Sequence, residues 1–269
     1  VACNRGADRD ENGNGLNRIG ISIVHLNMKK LFFLFGFCLF LNACSGGNDA
    51  VFPIAIQPPA ENPPEAHTYK YLALGDSYTY GQNVCATCRF PEQLKSRLLP
   101  ELEADAAINI SMFAVTGWTT TDLLASISGN NFATDYDLVT LLIGVNNQYQ
   151  HKPFAVYEQE FPALVNRAVA YARGDSSNVI VVSIPDYAYT PYGQGTSNQA
   201  GISSEIDDYN NFARSYCQSH GITFVDITDI TRLGLEDPSL VANDGLHPSE
   251  TAYALFVNRI LPKALLALQ

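Results

Sequence analysis

The sequence predicts a three-layer α/β/α domain built on a five-stranded parallel sheet. Three observations carry this reading. Short apolar runs alternate with longer segments of helical spacing from Tyr69 to the end of the chain. Several runs close on Gly75, Gly144 or Pro185, residues that stop a strand. The helical segments between them are long enough to serve as crossovers, which puts helices on both faces of a parallel sheet.

The elements follow in order. Residues 71–74 form a short apolar strand ending at Gly75. Residues 90–99 have helical spacing, with Leu94, Leu98 and Leu99 on one side, and Pro100 stops the run. Residues 108–115 read as the second strand and 120–128 as a short helix. Residues 138–143 are the third strand, closed by Gly144, and 154–173 a long amphipathic helix ended by Gly174. Residues 179–184 are the fourth strand, 202–220 a helix ended by Gly221, and 222–225 the fifth strand. Residues 249–268 close the chain as a helix with Ser249 as its N-cap. Right-handed crossovers bring the C-terminal ends of all strands to one edge, where ligands bind in such folds. No internal repeat and no second domain is evident.

Bulk composition excludes some functions. The chain has 269 residues, 46% hydrophobic and 16% charged, which fits a globular domain with a sizeable core. Its net charge of −11 argues against a nucleic-acid partner, because phosphate binding needs clustered Lys and Arg.

The N-terminal part reads as processing signals. Met28-Lys29-Lys30 precedes an apolar run from 31 to 41, then Asn42-Ala43-Cys44. That is the order of a secretory signal peptide, and the run is too short for a stable membrane span. Residues 41–44 resemble a bacterial lipobox, which implies cleavage before Cys44 and lipidation of that residue. A transmembrane anchor or a buried helix is the plainer alternative. The polar stretch 1–27 precedes an obvious start methionine and reads as a mis-called leader. Expected organisation is therefore leader 1–27, lipoprotein signal 28–43, Pro-rich linker 44–67 and one folded domain 68–269. The product is expected to be exported and held at a bacterial membrane, facing the periplasm or the cell surface.

Cys85 and Cys88 can close a small loop. A zinc site would need four ligands, and there is no second Cys pair. A redox motif would need a helix start, whereas Arg89-Phe90-Pro91 follows. A structural disulfide is the preferred reading, and Cys217 reads as a small buried residue on a helix.

Four polar groups fall at or beside the expected sheet edge. They are Gly75-Asp76-Ser77 after the first strand, Thr116-Gly117-Trp118 after the second, Gly144-Val145-Asn146-Asn147 after the third, and Asp244-Gly245-Leu246-His247 before the last helix. Each alone reads equally well as a turn. In this order and spacing they resemble the SGNH hydrolases, also called the GDSL esterase/lipase family, from about residue 69 to 268. The resemblance implies a flavodoxin-like sheet, Ser77 as nucleophile and His247 as base oriented by Asp244. It also implies an oxyanion site made by Ser77, Gly117 and Asn146, and no metal or organic cofactor. The family often carries Asp where this chain has Asn147.

The chemistry agrees. A serine hydroxyl needs a base within reach, and an imidazole fixed by a carboxylate supplies one. Tyr187, Tyr189 and Tyr192 in the loop 185–199, with Asn147, Gln148 and Tyr149 beside them, are candidates for substrate contact. Aromatic rings there either stack on sugar or cover an acyl chain, or else pack as a surface loop. The expected activity is hydrolysis of a carboxylic ester: a simple acyl ester, a lysophospholipid or an acetylated carbohydrate. A catalytically silent ligand-binding lipoprotein on the same fold is the alternative, favoured by Asn147 and opposed by the complete Ser, Gly, Asn, Asp and His set.

Overall fold

The structure, a computed structural model, describes residues 66–269. The expected leader 1–27, signal 28–43, lipid site Cys44 and nearly all of the linker 44–67 lie outside the described residues.

Five strands, β1 (Thr68–Gly75), β2 (Ala107–Ala114), β3 (Leu138–Leu142), β4 (Val179–Val182) and β5 (Thr223–Val225), form one sheet in the order β2-β1-β3-β4-β5. Every pairing is parallel. Nine α-helices are described: α1 (Ser77–Tyr80), α2 (Phe90–Leu98), α3 (Thr120–Ser128), α4 (Val145–Tyr149), α5 (Phe154–Tyr171), α6 (Pro191–Gln194), α7 (Gln199–Ser219), α8 (Thr228–Thr231) and α9 (Glu250–Ala267). Helix α2 packs on α9, while α3 packs on α5 and α5 on α7, so the sheet is sandwiched between two helical layers. None of the described helices is long and apolar enough to cross a membrane.

The core follows from the apolar runs. Every residue of β3 and β4 is buried. An aromatic cluster joins α5 to α7, with Tyr157 packed on Phe161 and Tyr209 at ring-centroid distances of 5.1 and 4.5 Å. Such rings carry a large share of the burial energy, about 3–5 kcal/mol each on truncation.

Some boundaries differ from expectation. β1 starts at Thr68 because it pairs with β2 along its whole length. Helix α7 starts at Gln199, capped by Asn198, whose side chain accepts from the Gly201 N–H. Helix α2 passes into a 3₁₀ turn at Leu99–Glu101. The expected loop 185–199 is largely folded into a 3₁₀ turn, Tyr187–Tyr189, and helix α6.

Register sets up the site. Gly75 is opposite Ala114 on one side and Leu142 on the other, so three strands end level. The chain leaves β1 for β2 on one side, then returns across it to β3. The loops after β1 and β3 therefore part and leave a crevice at the sheet edge.

Candidate active site

Gly75 is needed for the exit from β1. A Cβ there would stand 2.2 Å from Thr79 Oγ1 and 2.4 Å from the Leu142 carbonyl. Asp76 then caps α1, its Oδ1 accepting from the Tyr78 N–H at 3.0 Å. This fixes Ser77 as the first residue of a single helical turn, closed when the Gly81 N–H donates to the Ser77 carbonyl.

The turn before α9 delivers the base. Asp244 Oδ1 accepts from the N–H groups of Leu246 and His247, both at 3.0 Å. Its Oδ2 lies 2.7 Å from His247 Nδ1. Gly245, at φ +72°, lets the chain fold back so that both side chains point the same way. The His247 carbonyl accepts from the Ala242 N–H at 2.7 Å, which closes the turn. His247 Nε2 reaches Ser77 Oγ at 3.1 Å. Burial pushes the Asp244 carboxyl up, but the donors from His247 and Leu246 outweigh it and hold the group below its usual range. The carboxylate is thus ionised beside the imidazole and fixes the tautomer that leaves Nε2 free to accept.

Two further groups meet Ser77 in one cleft of about 300 Å³, lined also by Gly117, Asn146 and His247. Asn146 sits on α4 and donates through Nδ2 to the Trp118 carbonyl at 3.0 Å. An amide nitrogen has two N–H groups, so one remains for a ligand. Gln150 on the same segment donates to the Gly117 carbonyl at 3.1 Å. The loop after β2 is thereby tied to α4, with Gly117 held at φ +87°.

Not every expected residue reaches the cleft. Tyr192 does, but Asn147 and Tyr189 do not line it. Asn147 is fully buried. It is one residue beyond Asn146 on a helix, and its side chain turns back to Thr120. Tyr189 is on the 3₁₀ turn and borders a separate hollow with Gln194 and Gln199. Gln148 is buried and donates to Glu205 at 2.8 Å. Tyr187 and Tyr149, also candidates by sequence, line the cleft with Tyr192. The i,i+3 spacing of Asn146 and Tyr149 puts both on one side of the five-residue α4, facing the cleft. Elsewhere, the sulfurs of Cys85 and Cys88 are at disulfide distance. Cys217 is buried, which pushes its thiol up to about 12.

Comparison with solved structures finds the same architecture. A lipase from a goat rumen metagenome superimposes with a TM-score of 0.58 at 17% identity, covering 75% of this chain and 100% of that one. An acetylxylan esterase from Geobacillus stearothermophilus gives 0.56 at 20% identity, covering 74% and 95%. A member of the lipolytic G-D-S-L family from Veillonella parvula gives 0.54 at 18%, covering 72% and 97%. No curated protein sequence matches the chain. The family itself is shown by sequence: residues 73–255, from the middle of β1 into α9, match the GDSL-like lipase/acylhydrolase profile. With the sheet order and the edge groups in agreement, this chain belongs to the GDSL-like lipase/acylhydrolase family.

Proposed function

We propose that the chain is a serine esterase that hydrolyses carboxylic esters through an acyl-enzyme on Ser77. The observation that carries this is the continuous hydrogen-bonded path from Asp244 through His247 to Ser77, opening into a cleft shared with Gly117 and Asn146. His247 Nε2 takes the proton from Ser77 Oγ as the oxygen attacks the ester carbonyl. Charge gathers on the former carbonyl oxygen, and the N–H groups of Ser77, Gly117 and the Asn146 amide donate to it. The C–O bond to the alcohol then breaks, and His247 returns the proton to the leaving oxygen. Water repeats the cycle on the acyl-enzyme and releases the acid. Preorganised donors of this kind are worth about 2.7–4 kcal/mol each in the barrier.

The substrate is a small-molecule, glycan or lipid ester. Two structural neighbours are named as a lipase and an acetylxylan esterase, both ester hydrolases, which agrees with the reaction class. The signal-like segment 28–43 and Cys44 support export and a lipid anchor. Hydrolysis of p-nitrophenyl acetate by the domain and by Ser77→Ala tests the chemistry; equal rates would overturn it. Release of a Cys44→Ala protein from bacterial membranes tests the anchor, and a variant that stays bound would overturn that part.

A further inference from the structure

Tyr149 and Tyr192 meet across the cleft with their phenol oxygens 2.6 Å apart. They remain 48% and 41% exposed, although both line the cavity that holds Ser77 and His247. They come from opposite walls. Tyr149 lies one turn beyond Asn146 on α4. Tyr192 lies on α6, and its backbone N–H donates at 2.9 Å to the carbonyl of Gly245, inside the turn that carries Asp244 and His247. The phenol pair therefore joins the wall bearing Asn146 to the wall bearing His247. Below it the buried Tyr187 meets Tyr149 edge-on, with ring centroids 5.9 Å apart. Three rings thus close one end of the cleft, and no Lys, Arg, Asp or Glu lines the cavity.

We propose that the Tyr149–Tyr192 bar limits acyl length, admitting a short acyl chain at the aromatic end of the cleft and excluding a long one. The inference rests on the serine-esterase reading. An uncharged aromatic end offers apolar surface to the acyl chain of an ester and no partner to a charged alcohol. The cavity of about 300 Å³ stands at the lower end of the roughly 300–1,000 Å³ usual for ligand sites, and it also holds the reacting centre. The bar joins the two walls, so a chain running out past the aromatic end would meet it. The two rings are joined by one hydrogen bond and are about half exposed, so removing either ring opens the end at little cost to the core.

The test is a p-nitrophenyl series of acetate, butyrate, octanoate and palmitate, with wild type, Tyr149→Ala, Tyr192→Ala and Tyr192→Phe. For the wild type, kcat/KM falls roughly tenfold or more between butyrate and octanoate. In either alanine variant the octanoate-to-acetate ratio of kcat/KM rises roughly tenfold, mainly through KM for octanoate. Tyr192→Phe keeps the ring, loses one hydroxyl of the pair and moves the ratio less, in the same direction. A wild type that takes palmitate as readily as acetate overturns the bar, and so does an unchanged ratio in folded alanine variants. Tyr192→Phe serves where an alanine variant does not fold. Ser77→Ala run alongside separates the failures. Hydrolysis that depends on Ser77 with an unmoved ratio sinks the bar alone, whereas hydrolysis indifferent to Ser77 sinks the esterase reading with it.

Discussion

Asn147 grips Thr120 at two points: its Oδ1 accepts from the Thr120 N–H at 2.9 Å and its Nδ2 donates to the Thr120 hydroxyl at 2.6 Å. That hydroxyl in turn donates to Glu160 Oε2 at 2.6 Å. The Thr120 proton is already committed to a carboxylate, so residue 147 has to be the donor. Aspartate, common in the family at this place, would set a buried second carboxylate against the same proton. Asn147→Asp is therefore expected to cost about 1–3 kcal/mol, the desolvation of an unsatisfied buried group. The loss grows as pH rises and the new carboxyl ionises. Glu160→Gln should restore part of it, with a coupling of about 0.5–3 kcal/mol in a double-mutant cycle. Urea denaturation of the four proteins at pH 5 and pH 8 measures this; an Asn147→Asp protein as stable as wild type at pH 8 refutes it.

Ser77, His247 and Asp244 form one chain of contacts, and their substitutions should not add. Ser77→Ala and His247→Ala are each expected to lower kcat by at least about 10³-fold, and the double variant no further. Asp244→Asn keeps the shape but offers a donor where Nδ1–H needs an acceptor. It should cost roughly 10²–10⁴-fold with KM little changed. Steady-state kinetics on p-nitrophenyl acetate decides; multiplicative losses in the double variant would mean that the residues act apart.

Asn146 and Gly117 separate two sources of loss. Asn146→Ala removes a side-chain donor and should lower kcat about 10²–10³-fold while the protein melts near the wild-type temperature. Gly117 has φ +87°, and a Cβ there meets nothing within 4 Å. Gly117→Ala is thus opposed by backbone conformation alone, at about 1 kcal/mol or more. It should lose both stability and kcat. A Gly117→Ala protein with wild-type stability and activity would show that the positive φ is not required.

What the sequence makes legible follows from length. The five strands and the helices of nine residues or more carry enough periodicity to be read, and their order gives the sheet. Helices α1, α4, α6 and α8 have four or five residues each and fall below any window of periodicity. Ser77, Asn146 and Tyr192 sit on these short turns, so motif spacing located the first two where helical pattern did not. Asn147 is legible as a departure from the family, but its burial is not, because that depends on Thr120 arriving from the start of α3. Tyr149 and Tyr192 are 43 residues apart, and only the assembled sheet edge brings them into contact.

Asp76 precedes Ser77 and is fully buried, with Oδ1 on the Tyr78 N–H and Oδ2 without a hydrogen-bond partner among the described residues. Burial, opposed in part by donation from the Tyr78 and Asp76 N–H groups, pushes the carboxyl up to about 7. An unfolded aspartate titrates near 3.9. Between about pH 4 and 7 the folded chain therefore holds a proton that the unfolded chain has released, and stability falls as pH rises through that window. At about 1.4 kcal/mol per pH unit the full loss is on the order of 4 kcal/mol above pH 7. Asparagine keeps the capping oxygen and carries N–H in place of the acid proton, so Asp76→Asn should remove the dependence. Asp244, held below its usual range, loses its contribution only at more acidic pH and leaves this window clear. Thermal melts are expected to show wild type gaining stability from pH 8 to pH 5. Asp76→Asn should melt on the order of 10 °C above wild type at pH 8 and only a few degrees above it at pH 5. A variant less stable than wild type at pH 8 would mean that the ionised carboxylate is stabilised in place, and that the turn presenting Ser77 is built around a charge.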